Sequence, residues 1–318
     1  MVDSWDCVVV GGGAAGLSAA LVLGRARRRT LVVDDGNQSN LAAAGIGGLL
    51  GHDGRPPAEL YAMGRQELTA YPSVEVRSGT VVGGMRADDG FVLDLGDGRH
   101  ERTRRVLLAT GMQYRPPEVP GLQELWGRSV FHCPFCHGWE VRDQPLAVLG
   151  RGERAIHQAL LLSGWTDDIV VVTDGPADFS DEERTRLAAA GVSVDERAIA
   201  ELASEKGELA EVVFEDGGRL RRRGLLAAAT LHQRSSLADE LGAVAGTPTP
   251  LAADPVDVDA LMRTLSVGVF AAGDVSASMP QVASAVAAGS LAATAVVQSL
   301  LADDHGLIGP EWRSHVNA

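Results

Sequence analysis

The feature that most limits the fold is a strand, a glycine-rich hexapeptide, a helix and a second strand in immediate succession near the start of the chain. Asp6 to Val10 is a short β-branched run that reads as a buried strand. It passes into Gly11-Gly12-Gly13-Ala14-Ala15-Gly16, then an apolar helical segment from Leu17 to Leu23. A second strand, Thr30 to Val33, ends at Asp34-Asp35. Each glycine of the Gly-x-Gly-x-x-Gly pattern has its own task. Gly11 permits the tight turn, Gly13 lets the backbone close on a pyrophosphate at the helix N-terminus, and Gly16 lets the helix lie on the strand. Asp34 can accept from a ribose hydroxyl. The hexapeptide alone is a weak signal; in this context it predicts a dinucleotide-binding unit.

A second unit begins at Leu146-Ala147-Val148-Leu149 and continues through Gly150-Arg151-Gly152-Glu153-Arg154-Ala155. Alanine at the last position is an allowed variant. A helix around Ile156 to Ser163 and a strand from Ile169 to Val172 follow. Arg151 and Glu153 crowd the place where phosphate would sit, and Thr173-Asp174-Gly175 holds no arginine for a 2′-phosphate. Asp174 would suit NADH better than NADPH. Two readings stay open: a working NAD(P)H site, or a retained fold with little use for one. The chain then returns to its first unit. Val267 to Asp274 reads as a buried strand ending in Gly273-Asp274, followed by Met279-Pro280-Gln281-Val282 and an alanine-rich helix. Pro116 to Pro120 and Thr247-Pro248-Thr249-Pro250 read as linkers. The expectation is an α/β protein of two Rossmann-like dinucleotide-binding domains. The first is discontinuous, 1–117 and 247–318, and 118–246 is inserted in it.

The inserted segment carries His132-Cys133-Pro134-Phe135-Cys136-His137-Gly138-Trp139-Glu140. A Cys-x-x-Cys loop brings two sulfurs close enough to join and part, and flanking groups can lower a thiol pKa from about 8.5 toward neutrality. The pair proposes dithiol–disulfide chemistry. A zinc site built from His132, Cys133, Cys136 and His137 is the competing reading. It is a poor one, because neighbouring His-Cys pairs point apart and no second Cys-x-x-Cys completes a tetrahedron. The third cysteine, Cys7, sits in an apolar run and reads as core. The net charge of −14 disfavours nucleic acid and anionic membrane surfaces. No basic, cleavable leader precedes the first strand, and three cysteines make no extracellular framework, so a cytoplasmic location is expected. Val282 to Leu301 approaches membrane length, but it is mostly alanine and carries Ser284, Ser290, Thr294, Gln298 and Ser299. It reads as a closely packed helix of a soluble protein, with no membrane partner.

Along nearly its whole length the chain resembles a low-molecular-weight thioredoxin-reductase-type flavoprotein. The matching landmarks are Gly11-x-Gly13-x-x-Gly16, Ala109-Thr110-Gly111, the Cys133–Cys136 pair, and Gly268 to Val275. The resemblance implies FAD bound by Gly11, Gly13, Ala14, Ala15, Gly16, Asp34, Asn40, Val81, Ala109, Thr110, Gly111, Gly273 and Asp274. Asp274 would lie at the ribityl or phosphate portion, and Gln281 and Val282 near the isoalloxazine. It also implies a homodimer. Two features depart from thioredoxin reductases proper: Cys136 is followed by His137 where they commonly have aspartate, and Val172-Thr173-Asp174-Gly175 replaces a basic cluster. The Cys-x-x-Cys-His-Gly form, with Asp34 to Asn40 and Leu50 to Gly54, is similar to the FAD-dependent dithiol oxidases of natural-product pathways, the gliotoxin- and holomycin-type disulfide-forming enzymes. Where that branch often has a histidine just before the later segment, this chain has glycine, near Gly47.

The resemblance implies a mechanism. A small dithiol attacks Cys133 of the disulfide, and its second thiol resolves the mixed disulfide. Cys136, the flavin-side sulfur, passes two electrons to FAD and O2 receives them. His137 is the favoured base, since an unperturbed imidazole titrates at about 6.5. His132 and Glu140 are secondary candidates. The alternative is an NAD(P)H-dependent thioredoxin or disulfide reductase, with electrons flowing the other way.

Overall fold

The computed structural model describes residues 4–276, 279–308 and 312. The end of the expected first domain, 313–318, lies outside the described residues. The chain opens with β1 (Trp5–Val10), α1 (Ala14–Arg25), β2 (Thr30–Asp34), α2 (Pro57–Leu68) and β3 (Val74–Ser78). A meander follows: β4 (Val81–Ala87), β5 (Gly90–Leu95), β6 (His100–Leu108), then the short β7 (Gln113–Arg115). The middle of the chain runs α3 (Leu122–Leu125), β8 (Val130–Phe131), α4 (Pro134–His137), β9 (Leu146–Leu149), α5 (Gly152–Leu162), β10 (Ile169–Val172), α6 (Asp181–Ala189) and β11 (Ser193–Asp195). Then come β12 (Ile199–Glu205), β13 (Glu208–Phe214), β14 (Arg219–Arg221) and β15 (Gly224–Ala227). The last elements are β16 (Thr230–His232), α7 (Leu237–Glu240), β17 (Val269–Ala271) and α8 (Val282–His305).

Two compact units result. The first comprises 1–39, 49–114 and 231–318, the second 40–48 and 115–230. The return therefore comes at Leu231, earlier than the proline cluster at 248–250 suggested. Those prolines flank a turn inside the first unit, where the Thr249 hydroxyl accepts from the Leu251 and Ala252 amides.

The first unit is built on a sheet ordered β3-β2-β1-β6-β5-β4. β6 pairs parallel with β1 along one edge and divides its other edge between two partners: its first half pairs antiparallel with β5, and Val106 to Leu108 pair parallel with β17. Both faces of the central strands are covered, which is why they read as unbroken apolar runs. Side chains alternate across the sheet. Cys7, Val9, Leu107 and Phe270 pack on one face with α1 and α8 residues such as Leu23, Ala292 and Val296. Val8, Val10, Val106 and Leu108 pack on the other with Leu237 and Leu241. By length and composition α8 could cross a membrane. Here it lies against α1: Ser18 Oγ donates to the Val286 carbonyl at 2.8 Å, and a Cβ at Gly289 would strike the Ala15 carbonyl. The small residues that argued for a closely packed helix are what let the two helices approach this closely.

The second unit has a wholly parallel sheet, β11-β10-β9-β15-β8, whose faces bury Leu146 and Val148 on one side and Ala147 and Leu149 on the other. Its other sheet is the antiparallel meander β12-β13-β14.

Candidate functional site

In the first unit, Gly11 has φ +107°, and a Cβ there would run into the Ala109 carbonyl. A Cβ on Gly16 would meet the Gly11 carbonyl. These contacts pull the start of α1 onto the end of β1. Gly13 caps α1 without any side-chain hydrogen bond, and no charged residue stands in the first turn. The orphan amides of that turn remain available to an anion. Asp34, at the end of β2, is buried. It accepts from the Gly12 amide at 3.1 Å, the Gly36 amide at 3.2 Å and Gln38 Nε2 at 2.9 Å, and Arg65 lies 3.6 Å away. These three bonds fall on Oδ1; Oδ2 takes a longer contact from Gln38 Nε2, at 3.3 Å, and keeps acceptor capacity for a ribose hydroxyl. This cradle fits the dinucleotide end of FAD.

The loop after β17 meets the same corner. Gly273 has φ +87°, and a Cβ there would sit 2.9 Å from the Ala15 Cβ. Asp274 accepts from the Tyr114 hydroxyl at 3.0 Å. Burial pushes the Asp274 pKa up, against the Tyr114 hydrogen bond and the Arg234 charge. Ala109 is buried and donates its amide to Val10, and Gly111 adopts φ +63°. Gln281 caps α8 with no side-chain hydrogen bond, and Val282 is its first residue. Val81 is buried in the core, so its side chain is spent on packing. Asn40 belongs to the second unit.

In the second unit, Gly152 has φ +63° with open space around it. The groups about this loop differ from those of the first. Arg151 caps α5, and its guanidinium donates to the Thr173 carbonyl at 2.6 Å and to the Asp174 carbonyl. The Asp174 carboxylate accepts from the Ile199 amide at 2.7 Å. Glu153 stands in the first turn of α5, 3.6 Å from Arg186. The acid turns one oxygen to β12, the cation covers the strand end, and the first turn carries a carboxylate. The carboxylate of that turn and the guanidinium laid on the strand end do not fit the pyrophosphate of a nicotinamide dinucleotide.

Cys133 and Cys136 are joined as a disulfide, with Cα atoms 5.4 Å apart. Neither offers a thiolate to a metal, and among the described residues no cluster of His, Cys, Asp or Glu could hold one. Pro134 opens the single turn of α4, where its missing amide costs nothing. The segment 40–48 lies on this turn: a Cβ at Gly47 would sit 2.7 Å from the Cys136 carbonyl. That close approach explains glycine at this position. His137 stacks on buried Phe131, centroids 5.6 Å apart. Neither of its ring nitrogens has a partner of good geometry, although the backbone of Cys133 and Gly127 lies near. Burial lowers its pKa, opposed by Glu140 and that backbone. His137 is therefore a neutral imidazole at pH 7, able to take a proton. His132 stacks on Trp126 and is pushed down to about 4, chiefly by burial, with His137 and Arg154 adding to it. Cys7 is fully buried, which pushes its thiol pKa up and leaves it inert.

Residues 5–289 match the model of the pyridine nucleotide-disulphide oxidoreductase family. The chain belongs to that family. It is an oxidoreductase acting on thiols and disulfides. Among the relatives of this pyridine nucleotide-disulphide oxidoreductase is thioredoxin reductase tcpT of Claviceps purpurea, 32% identical and covering 95% of this chain and 96% of its own. Thioredoxin reductase sirT of Leptosphaeria maculans is 31% identical, over 92% and 93%. The crystal structure of HlmI superposes with a TM-score of 0.89 at 36% identity, covering 96% of this chain and 95% of that one. An Agrobacterium tumefaciens oxidoreductase gives 0.88 at 35%, over 94% and 99%. The thioredoxin-reductase-like fold expected from the landmarks is thus the fold observed. Sequence reasoning missed Tyr114 and Arg234 around Asp274, and the contact of Gly47 with Cys136. Tyr114 follows Gly111 by three residues, a weak local cue; Arg234 carried none.

Proposed function

We propose that this chain is an FAD-dependent dithiol oxidase that closes an intramolecular disulfide in a small dithiol through Cys133 and Cys136, with O2 as final acceptor, working as a cytoplasmic homodimer. The observation that carries the direction is the second glycine loop. Arg151 and Asp174 are tied to the protein's own backbone, which favours electrons that enter as thiols over electrons that enter from a nicotinamide.

A substrate thiolate attacks Cys133 Sγ, the protein S–S bond breaks, and its electron pair leaves on Cys136. The substrate's second thiol loses its proton and attacks the substrate sulfur of the mixed disulfide. The cyclic disulfide departs and Cys133 leaves as a thiolate. The substrate gives up two electrons and two protons, and the protein pair is reduced. His137, neutral and half-buried next to Cys136 in the chain, takes the thiol proton, a role worth about 10²- to 10⁴-fold in rate. Gly11 to Gly16, Asp34, Gly273 and Asp274 would hold FAD, which supplies the two-electron acceptor and its reoxidation by O2 to peroxide.

Purified yellow protein mixed with dithiothreitol in air, without nicotinamide, should consume one O2 per cyclic disulfide. Absence of uptake, with fast NADPH oxidation in the presence of a small redox protein, would overturn the reading. That second reading, an NAD(P)H-dependent disulfide reductase, is favoured by the names of the thioredoxin reductase relatives.

A further inference from the structure

The chain has five Trp, three Tyr and six Phe. Twelve of these fourteen are buried or half-buried. The two exposed ones are Phe135, 56% accessible, and Trp139, 66% accessible. Both belong to the redox segment: Phe135 lies between the two cysteines and Trp139 three residues past Cys136. Two lone exposed aromatics in so aromatic-poor a chain, both beside one disulfide, are not scattered surface residues.

They are also held in place. Trp165 supports the segment from beneath. Phe135 stands edge-on to it, centroids 5.5 Å apart, and a Cβ at Gly138 would come within 2.9 Å of its ring. The Asp143 amide donates to the Trp165 carbonyl at 2.9 Å, which pins the far end of the turn. Arg142 donates to the Trp139 carbonyl at 2.6 Å and lays its guanidinium 3.8 Å from the Trp139 ring centre. The indole thus carries a cation against its ring, and Trp139 is still 66% accessible. Gly138 has helical angles (φ −63°, ψ −31°), so Phe135 and Trp139 stand at i and i+4 along one face.

We propose that Phe135 and Trp139 are the specificity-determining surface of the disulfide. They would stack a dithiol built on a flat, π-bearing frame, an aromatic ring or a planar amide, and present its thiols to Cys133. This names the substrate class and rests on the dithiol reading above. The size of the surface argues for a small molecule. Two aromatic side chains offer a few hundred Å² at most, whereas a stable protein interface needs about 800 Å² on each partner. The surrounding Glu140, Arg142 and Asp143 are exposed and charged, which does not extend the apolar area. Because the rings are already fixed, a stacked ligand orders little on binding.

The test compares ortho-xylylenedithiol, which closes to a cyclic disulfide on a benzene ring, with dithiothreitol. In W139A and F135A holoenzyme the ratio of kcat/KM for the ring dithiol over that for dithiothreitol should fall about three- to tenfold, the range of one aromatic contact. The loss should appear in KM and not in kcat, and W139F should recover most of it. The alcohol analogue, ortho-xylylene glycol, cannot react. It should quench tryptophan fluorescence in the parent and not in W139F. An unchanged ratio in both alanine variants, with no quenching, overturns the proposal. So does a small redox protein whose turnover falls more in W139A than that of the ring dithiol. Quenching by the glycol without turnover of any dithiol would keep this surface and overturn the oxidase reading.

Discussion

The two glycine loops share one backbone plan and hold different chemistry. At Gly11 to Gly16 the first turn of α1 carries no charge, and Asp34 turns back to the loop amide of Gly12. At Gly150 to Ala155 the acid at the equivalent strand end turns away to the Ile199 amide, and Arg151 closes over the strand end. The glycines make the fold. The side chains around them decide whether the orphan amides meet a phosphate or the protein itself. A Gly-x-Gly-x-x-Gly/Ala pattern is evidence for architecture first and for a ligand only when its neighbours leave room.

The comparison can be broken at several points. Gly16→Val should have the largest effect: its side chain enters the Gly11 carbonyl, and the purified protein should lose its flavin absorbance and all dithiol turnover. Gly152→Ala should cost only about 1 kcal/mol for its positive φ and leave flavin content and turnover alone. Loss of flavin in the second variant would end the distinction. Next, His137→Gln should lower kcat by about 10²- to 10⁴-fold with flavin retained. The acid limb of the parent's pH profile should lie below 6.5, the direction in which burial moves this imidazole, and should vanish in the variant. Asp34→Ala should weaken FAD binding by about ten- to a hundredfold, measured on the stripped protein. Asp174→Ala should leave FAD binding unchanged and lower unfolding stability by about 1–3 kcal/mol, because the Ile199 amide loses its acceptor.

The smallest effect at neutral pH belongs to His132. Its pKa of about 4 in the folded protein lies below the ordinary 6.5, so the unfolded chain takes up its proton first on acidification. The stability this histidine allows is whole above 6.5 and is lost as pH falls through 6.5 toward 4. His132→Phe should be neutral at pH 7 and flatten that acid fall, with the His137 contribution remaining. A denaturant series at stepped pH checks it.

What was legible in the chain was local. Gly11 and Gly16 announced themselves through the spacing of one short motif, and the Gly16 contact, with the Gly11 carbonyl, lies inside it. The parallel strands were readable because burial on both faces leaves an uninterrupted apolar run, as in Leu146 to Leu149. Contacts between distant segments were not readable. β16 pairs with β7, and the domain return falls at Leu231 instead of at Thr247. Residues 40–48 join the second unit because Gly47 packs on the Cys136 carbonyl, a contact that glycine permits but does not advertise. Asn40 travels with that segment. Tyr114 and Asp274 meet only through the fold. Asp174 looked like a ribose acceptor because its position is right; its carboxylate goes to β12, and no local pattern says so.

The central claim is that electrons enter as thiols at Cys133–Cys136 and leave through FAD. An anaerobic titration of the holoenzyme with dithiothreitol, without nicotinamide, tests it most directly. The account predicts bleaching of the flavin by dithiol alone, recovery on admitting air, and no bleaching in Cys133→Ser or Cys136→Ser protein that still holds its flavin. Flavin that stays oxidised under dithiol and bleaches at once with NADPH would contradict it.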